Sequence, residues 1–201
     1  MIKAALCKEI FSRCISDYHV HDNVDQEMKS PYSEGSVEGL LYHKCWIDTV
    51  QWHYEDLIRD PEIDPHEGMA LKRLIDASNQ RRTDMVEATD DWFIGQYQDV
   101  KVDDNATVNT ESPAWVIDRL SILALKIYHM QEQTDRSGVA EDHVAKAKAK
   151  LTVLLEQQTD LYTSFEQLQD DLQSGKRMMK VYRQMKLYND PSTNPVFYNK
   201  K

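Results

Sequence analysis

Apolar residues recur along this chain with the spacing of α-helices rather than of β-strands. The first periodic stretch, residues 3–24, carries a core-type residue at every fourth position: Leu6, Ile10, Cys14 and Tyr18. Side chains four residues apart lie on one face of a helix, so this stretch predicts an amphipathic helix. The same period returns in stretches that begin near residues 37, 65, 113 and 139. The pattern predicts an all-α protein.

Capping residues set the expected ends of the second and third helices. The second is expected from Val37 to Arg59, because the following Asp60-Pro61 disfavours continuation of the helix. Asp64-Pro65 then places an N-cap residue before a proline at the first helical position, where a missing N–H is tolerated. The third helix is therefore expected to run from Pro65 to Tyr97.

The second half of the chain predicts two more long helices and a basic segment. Residues 98–112 lack a helical period and are interpreted as a loop. The fourth helix is expected from Pro113 to Gln133, and its wide apolar arc predicts the central, most buried helix. The fifth begins at Val139. Ser174-Gly175 is either a kink in it or a short break before a helical segment from Lys176 to Tyr188.

These elements belong to one domain, residues 1–201. The sequence contains no internal repeat and no separate linker, and 201 residues are enough to bury a core. We therefore expect a single up-and-down bundle of five to six helices. The tail, residues 189–201, contains two prolines and two late aromatic residues and is expected to pack on the bundle as extended chain.

The third helix carries more polar chemistry than its apolar face explains. Arg82 falls near the middle of that face, with Asn79 at its margin. A buried arginine must find a carboxylate, and Glu55 and Asp56 of the second helix are the expected partners. Further polar residues run beside or near the apolar face: Asp76, Gln80, Thr83, Asp84, Glu87, Asp90 and Asp91. This line is either solvated surface or one wall of a polar site.

The second helix supplies residues that could face that wall. Asp48, Trp52, Glu55 and Arg59 follow one another along one side of the helix, opposite an apolar arc that includes His43. Trp52, Glu55 and Arg59 are either part of a site or a solvated ion pair packed against an indole. His43 is interpreted as a hydrogen-bonded core histidine, with a ligand role as the alternative.

Two other polar groups are interpreted as ordinary surface. His19 and His21, near the end of the first helix, point to different sides of it and make a poor metal pair. Four basic residues near the C-terminus could hold a phosphate or carboxylate, but a solubilising role is favoured. They are Arg177, Lys180, Arg183 and Lys186.

Composition limits the partners. The chain has 34 acidic and 24 basic residues, for a net charge of -10, which repels phosphate backbones and anionic lipid. No segment has the length and apolarity of a membrane span. We therefore expect neither a nucleic-acid partner nor a membrane partner. The 3 cysteines show no metal or disulfide spacing, and no signal-peptide core is present, so a cytoplasmic location with reduced thiols is expected.

Carboxylates are the remaining candidate for catalytic chemistry, because the sequence lacks the usual motifs. It contains no glycine-rich phosphate loop, no nucleophile elbow, no H-E-x-x-H and no E-x-x-H pair. Hard carboxylate oxygens suit Mg²⁺ or Mn²⁺ and phosphate chemistry. Asp84-x-x-Glu87 and Glu87-x-x-Asp90 have the acidic spacing of helical nucleotide pyrophosphatases, and Glu55-Asp56 is a looser counterpart on the second helix.

Three segments together resemble a bacterial, all-helical family known only as a domain of unknown function and seen mainly in Bacteroidetes. They read W-H-Y-E-D-L-I-R-D-P, I-D-A-S-N-Q-R-R-T-D-M-V-E and Y-R-Q-M-K-L-Y-N-D-P, with the patterns W-x-x-E-D-x-x-R-D and D-x-x-N-Q-x-R-x-D-x-x-E. The resemblance implies a single-domain helical bacterial protein and supplies no activity. The matching residues are His43, Trp52, Glu55, Asp56, Arg59, Asp76, Asn79, Gln80, Arg82, Asp84 and Glu87.

Of two functional hypotheses, the favoured one is a non-catalytic protein. In it, Arg82, Asn79 and the acidic residues form a buried network that fixes the register of the helices. Its work would be binding or assembly, either as a homo-oligomer or with a biosynthetic partner protein. It is favoured because no catalytic motif is intact.

The alternative is a Mg²⁺- or Mn²⁺-dependent phosphoester or pyrophosphate hydrolase that acts on a nucleotide or nucleotide-sugar. Arg82, with Asn79 or Gln80, would bind a small phosphorylated ligand or orient water. The metal ligands would be Glu55, Asp56, Asp84 and Glu87.

Overall fold

The computed structural model describes residues 1–187 and 190–199, and within these ranges it contains six α-helices. No β-strand occurs in this part of the chain, where Thr107 and Arg177 form an isolated β-bridge. The predicted all-α fold is confirmed. The helices are α1 (Ala4–Tyr18), α2 (Val37–Leu57), α3 (Pro65–Tyr97), α4 (Pro113–Asp135), α5 (Glu141–Gln173) and α6 (Pro195–Tyr198).

Helix starts agree with the capping residues. The Asp64 side chain accepts hydrogen bonds from the first backbone N–H groups of α3, and α3 has the predicted bounds. Ser112 caps α4 in the same way. Both starts combine a short polar side chain with a proline at the first helical position, which is a local signal. The ends are less regular, since α1 stops at Tyr18 and α2 at Leu57, earlier than predicted.

All five long helices contribute to one hydrophobic core. Each packs against the next in sequence, and α4 packs against each of the other four, which confirms its predicted central position. The prediction that α4 is also the most buried helix is wrong, because the shorter α2 has more buried residues. The 3 cysteines are buried and free. Burial raises the pKa of Cys7 to about 12, so this thiol stays protonated and unreactive.

One stretch of α2 is buried on every side. All residues from Lys44 to Val50 are buried, although Lys44 and Asp48 carry charge. A buried charge without a partner is strongly destabilising, so this stretch must be neutralised by its neighbours. None of the described helices is both long enough and apolar enough to cross a bilayer.

The predicted helical segment from Lys176 to Tyr188 is wrong over its described part, and Tyr188 itself lies outside the described residues. Gly175, with φ 76°, ends α5 in the left-handed conformation, and residues 176–187 continue without helix. We call residues 176–187 the strap. Its start bonds to the loop after α3, where Thr107 N–H donates to Lys176 O at 3.0 Å.

The strap runs antiparallel to α3 and its basic residues have partners. Arg183 pairs with Asp91 and donates to the backbone carbonyl of Glu87 at 3.0 Å. Further along, Lys186 Nζ donates to Thr83 Oγ1 at 2.7 Å. The interpretation as merely solubilising is therefore wrong for Arg177, Arg183 and Lys186, which bond to α5 or α3, whereas Lys180 lies against Tyr182 of the strap itself.

The sequence predicted an extended tail, but the tail is not wholly extended. Asn194 and Pro195 provide a cap and a first helical residue, and one helical turn, α6, follows. Almost all residues from 190 to 199 are exposed, so this part of the tail does not pack into the core. The predicted extended residues 189, 200 and 201 lie outside the described residues.

Gly175→Ala should destabilise the protein by more than about 2 kcal/mol. A Cβ there would lie 2.3 Å from the Lys101 carbonyl oxygen, and the φ of 76° disfavours alanine as well. Gly138→Ala is the matched control, since φ is 77° and nothing lies within 4 Å of its Cβ position. Gly138→Ala should lower the free energy of unfolding only by the strain of alanine in the left-handed conformation, about 1–2 kcal/mol. Urea unfolding measures both losses, and equal losses would contradict this account of Gly175.

Candidate functional site

A buried ion network joins α2, α3 and α4. Lys44 Nζ contacts the Asp48 carboxylate and lies 2.7 Å from Asp118 Oδ1. Arg82 donates from Nε and Nη2 to the two oxygens of Asp118, at 2.9 and 2.5 Å. Ser121 Oγ donates to Asp48 Oδ2 at 2.6 Å. Two cations thus face two anions, and the network is formally neutral.

The partners of Arg82 differ from those predicted. Glu55 and Asp56 were expected, but the guanidinium binds Asp118 and lies 3.3 Å from Asp48. Asp48 and Asp118 are deeper in the bundle, where the charge of Arg82 needs neutralising most. Sequence signals for both existed: Lys44 and Asp48 are four residues apart in an apolar stretch, and Asp118 stands among the apolar residues of α4.

The two carboxylates of the network respond to burial differently. Burial raises the pKa of Asp48, and attraction by Lys44 opposes this only in part. Burial also acts to raise the pKa of Asp118, but Lys44 and Arg82 together outweigh it, so that this pKa lies below its usual value. Asp118 is therefore the carboxylate that the two cations together keep ionised.

A cavity of about 360 Å³ opens beside the network, between α2, α3 and α4. More than half of the residues predicted from the sequence line it, so the structure brings this part of the prediction together. Its other lining residues were not singled out as site residues: Asp48, Gln51, Ile122 and Leu125. The predicted residues that line it are Trp52, Glu55, Asp56, Arg59, Asn79 and Arg82.

Two buried acceptors of the cavity lining have no donor among the described residues. Gln51 Oε1 is buried and accepts no hydrogen bond there. Asp48 Oδ1 lies 3.3 Å from Arg82 Nε in an ion pair, but it accepts no hydrogen bond from the described residues. At the entrance, Glu55 forms an exposed ion pair with Arg59 at 2.9 Å. The lining thus combines two buried oxygens that accept no hydrogen bond from the described residues with an ion pair at the entrance.

Three predicted residues lie on the exposed side of α3. Asp76 pairs with Lys72 and also lines a second cavity, of about 370 Å³, between α3, α4 and the strap. Gln80 donates to Asp84 at 2.8 Å and accepts from Lys186 at 3.4 Å. These residues form the solvated part of the polar line.

Glu87 and His43 lie outside the cavity lining. The Glu87 carboxylate accepts a hydrogen bond from the backbone N–H of Gln184, in the strap, at 3.0 Å. His43 is exposed on α2, beside a groove that Met85 and Trp92 of α3 also line. The interpretation of His43 as a core histidine is therefore wrong.

The four carboxylates predicted to hold Mg²⁺ or Mn²⁺ do not form one cluster. Glu55 and Asp56 line the cavity, whereas Asp84 and Glu87 bond to Gln80 and to the strap. In the part of the chain that the structure describes, a different group satisfies the distances of a metal site. Its candidate ligand atoms lie within 4.8 Å of one another, and it consists of His19, His53 and His129.

Sequence reasoning missed the histidine group because it has no spacing motif. His19 was interpreted as a polar helix end, while His53 and His129 lie on two other helices. Burial lowers the pKa of His53, and its neighbours His19 and His129 lower it too, against the attraction of Asp22. Only packing of α1, α2 and α4 makes these residues neighbours.

Lys44→Met should destabilise the protein by about 3–5 kcal/mol, because Asp48 and Asp118 would keep their buried charges with one cation fewer. Lys72→Met is the matched control, since Lys72 pairs with Asp76 at the same spacing but at the surface. Its cost should be about 0–1 kcal/mol. Urea unfolding at neutral pH measures both, and a Lys44→Met cost as small as the control would refute the network's role in stability.

The cost of Asp118→Asn should shrink as the pH falls. The folded pKa of Asp118 lies below its usual value of 3.8. Its contribution to stability is therefore complete above the unfolded pKa and is lost as the pH falls through the folded pKa. Unfolding free energies of wild type and variant should differ most at neutral pH and converge as the pH falls through the folded pKa of Asp118. A constant difference would contradict the ionised state assigned to Asp118.

Comparison with known proteins gives a family. No curated protein and no solved structure matches the chain. One family model, described as "Protein of unknown function (DUF4254)", matches residues 38–181, which is more than half of the chain. The matched range includes the ion network and the whole lining of the cavity, but it begins after α1. The chain therefore belongs to the DUF4254 family.

Proposed function

We propose that this protein is a non-catalytic binding protein whose small ligand occupies the cavity between α2, α3 and α4. The observation that carries the proposal is the pair of buried acceptors, Asp48 Oδ1 and Gln51 Oε1, in the lining of that cavity. A buried polar group without a hydrogen bond costs about 1–3 kcal/mol. A ligand that donates to these oxygens would recover this free energy on binding.

The charges of the lining favour a ligand rich in donors over an anion. The network is neutral as a whole, and Glu55 pairs with Arg59, so that Asp56 adds negative charge at the entrance. Trp52, with two apolar residues of α4, supplies the apolar wall that orients a small ligand. The volume also suits a small molecule. Hydroxyl-bearing or amine-bearing compounds of monosaccharide size fit these properties.

The hydrolase alternative has less support. Its four metal ligands are divided between the cavity and the outer side of α3. Arg82, the proposed phosphate ligand, already binds both oxygens of Asp118. A small phosphorylated ligand would also meet the carboxylates of Glu55 and Asp56, which repel it.

Other parts of the sequence interpretation stay predictions. They are a homo-oligomer or a biosynthetic protein partner, a cytoplasmic location, a bacterial origin of Bacteroidetes type, and the motifs assigned to the family. The role of the network in helix register is a proposal too. It is supported by Asp118 of α4, which pairs with Lys44 of α2 and with Arg82 of α3 and so joins three helices.

Gln51→Met should weaken ligand binding about tenfold or more without lowering stability. The variant removes an oxygen that would accept a hydrogen bond from the ligand. Such a bond contributes about 1–3 kcal/mol to binding. In the free protein it removes a buried, unsatisfied oxygen, so the melting temperature should stay or rise. Calorimetry with neutral sugars, amino sugars and short diamines measures the binding. Inorganic phosphate is titrated as well, to test for the anionic ligand that the alternative requires.

The control is Gln157→Met, an exposed position on α5, which should change neither property. Binding of phosphate but of no sugar or amine would overturn the proposed ligand class. Binding of a sugar or amine that Gln51→Met leaves unchanged would show that the cavity is not the site.

A further inference from the structure

Three imidazoles meet where the end of α1 packs against α2 and α4. His19 directly follows α1, His53 belongs to α2 and His129 to α4. The Nε2 atoms of His19 and His53 lie 3.2 Å apart, and one ring nitrogen from each of the three lies within 4.8 Å of the others. All three rings are largely removed from solvent, with side-chain exposures of 10%, 19% and 19%.

Hydrogen bonds orient two of these rings as metal ligands. His19 Nδ1 lies 2.7 Å from the backbone carbonyl oxygen of Ile15, which can only accept, so Nδ1 carries the proton and Nε2 keeps its lone pair. His129 Nδ1 lies 2.8 Å from the Glu132 carboxylate, with the same consequence. Carbonyl and carboxylate partners of this kind fix the ring orientation of metal-bound histidines.

The Nε2 atom of His129 is the second independent sign of a ligand. It is buried and has no hydrogen-bond partner among the described residues. In the free protein, His53 Nε2 can donate to the lone pair of His19 Nε2. A metal ion would take the place of that proton, which would move to His53 Nδ1 or to solvent. Both features are expected of a ligand set without its metal ion.

Aromatic side chains hold the rings in place. Tyr18 stacks on His53 with 5.0 Å between ring centroids and 10° between the planes. Trp52 stacks on His129 at 5.0 Å and 11°. Side chains that are locked by packing lose little freedom when they bind a metal, which favours affinity.

Asp22 brings a carboxylate close to two of the three histidines. Its Oδ1 lies 3.7 Å from His53 Nε2 and 4.0 Å from His19 Nε2. Its backbone φ of 47° is in the left-handed region, and its N–H donates to Tyr18 O at 3.1 Å. This conformation is uncommon for a residue other than glycine, and it turns the chain so that the side chain returns to the histidines.

We propose that His19, His53, His129 and Asp22 bind one divalent ion of the zinc class. Bonds of about 2.0–2.1 Å in a tetrahedral site separate neighbouring ligand atoms by about 3.3 Å, close to the His19–His53 distance. Imidazole ligands favour Zn²⁺, Co²⁺, Ni²⁺ and Cu²⁺, whereas Mg²⁺ and Mn²⁺ prefer sites made of oxygen atoms. The ion ties α1 to α2 and α4. The site is independent of the ligand proposed for the cavity.

The test is zinc titration of the full chain after removal of metal by a chelator. Calorimetry should show one Zn²⁺ per chain, and His53→Gln, His129→Gln and Asp22→Asn should each weaken binding about tenfold to a hundredfold or more. His21→Gln is the matched control, because His21 is exposed and lies two residues from His19. It should bind Zn²⁺ as the wild type does. Circular dichroism should show unchanged helix content.

Cobalt provides a second readout that does not depend on affinity. Co²⁺ bound in place of Zn²⁺ should give the strong visible absorption of a four-coordinate site, and Asp22→Asn should alter that spectrum. Asp22 is exposed, so this variant stays informative even where a histidine variant unfolds. Two results would overturn the proposal: no zinc binding by the wild type, or equal zinc affinity in the wild type and in all three ligand variants.

Discussion

The ammonium group of Lys44, buried in the middle of the bundle, is the constraint on which the arrangement of the central helices depends. It is neutralised by Asp48 of the same helix and by Asp118 of α4. Two carboxylates in turn need a second cation, which Arg82 supplies from α3. An uncompensated charge at this depth would be strongly destabilising. We propose that this balance fixes the register of the helices, since a shift of any one of them would separate the paired charges.

Helix α2 carries three different polar features because successive residues of a helix point in different directions. Lys44 and Asp48 face the interior, Gln51 and Glu55 line the cavity, and His53 faces the end of α1. Trp52 lies between the cavity and the histidines, since it lines the cavity and stacks on His129. A ligand in the cavity would therefore contact the indole that also stacks on His129, one of the proposed metal ligands.

The strap lies along one side of α3. Its contacts along α3 use Arg183 and Lys186, two of the basic residues that the sequence offered as an anion site. With these charges held by Asp91 and Thr83, the cavity on the other side keeps two buried oxygens that accept no hydrogen bond from the described residues. This distribution of polar groups is the basis on which we propose a donor-rich ligand rather than a phosphate.

The sequence by itself determined the five long helices and six of the residues that line the polar cavity. Caps such as Asp64-Pro65 act within a few residues, and a periodic face identifies Arg82 as a charge that needs a partner. Local signals also failed where distant contacts prevailed, as in the strap, which bonds to the loop after α3. Only the tertiary structure decided that Asp118 pairs with Arg82 and that three histidines meet. Their proximity depends on how separate helices pack, and the spacing of residues along one helix does not record it.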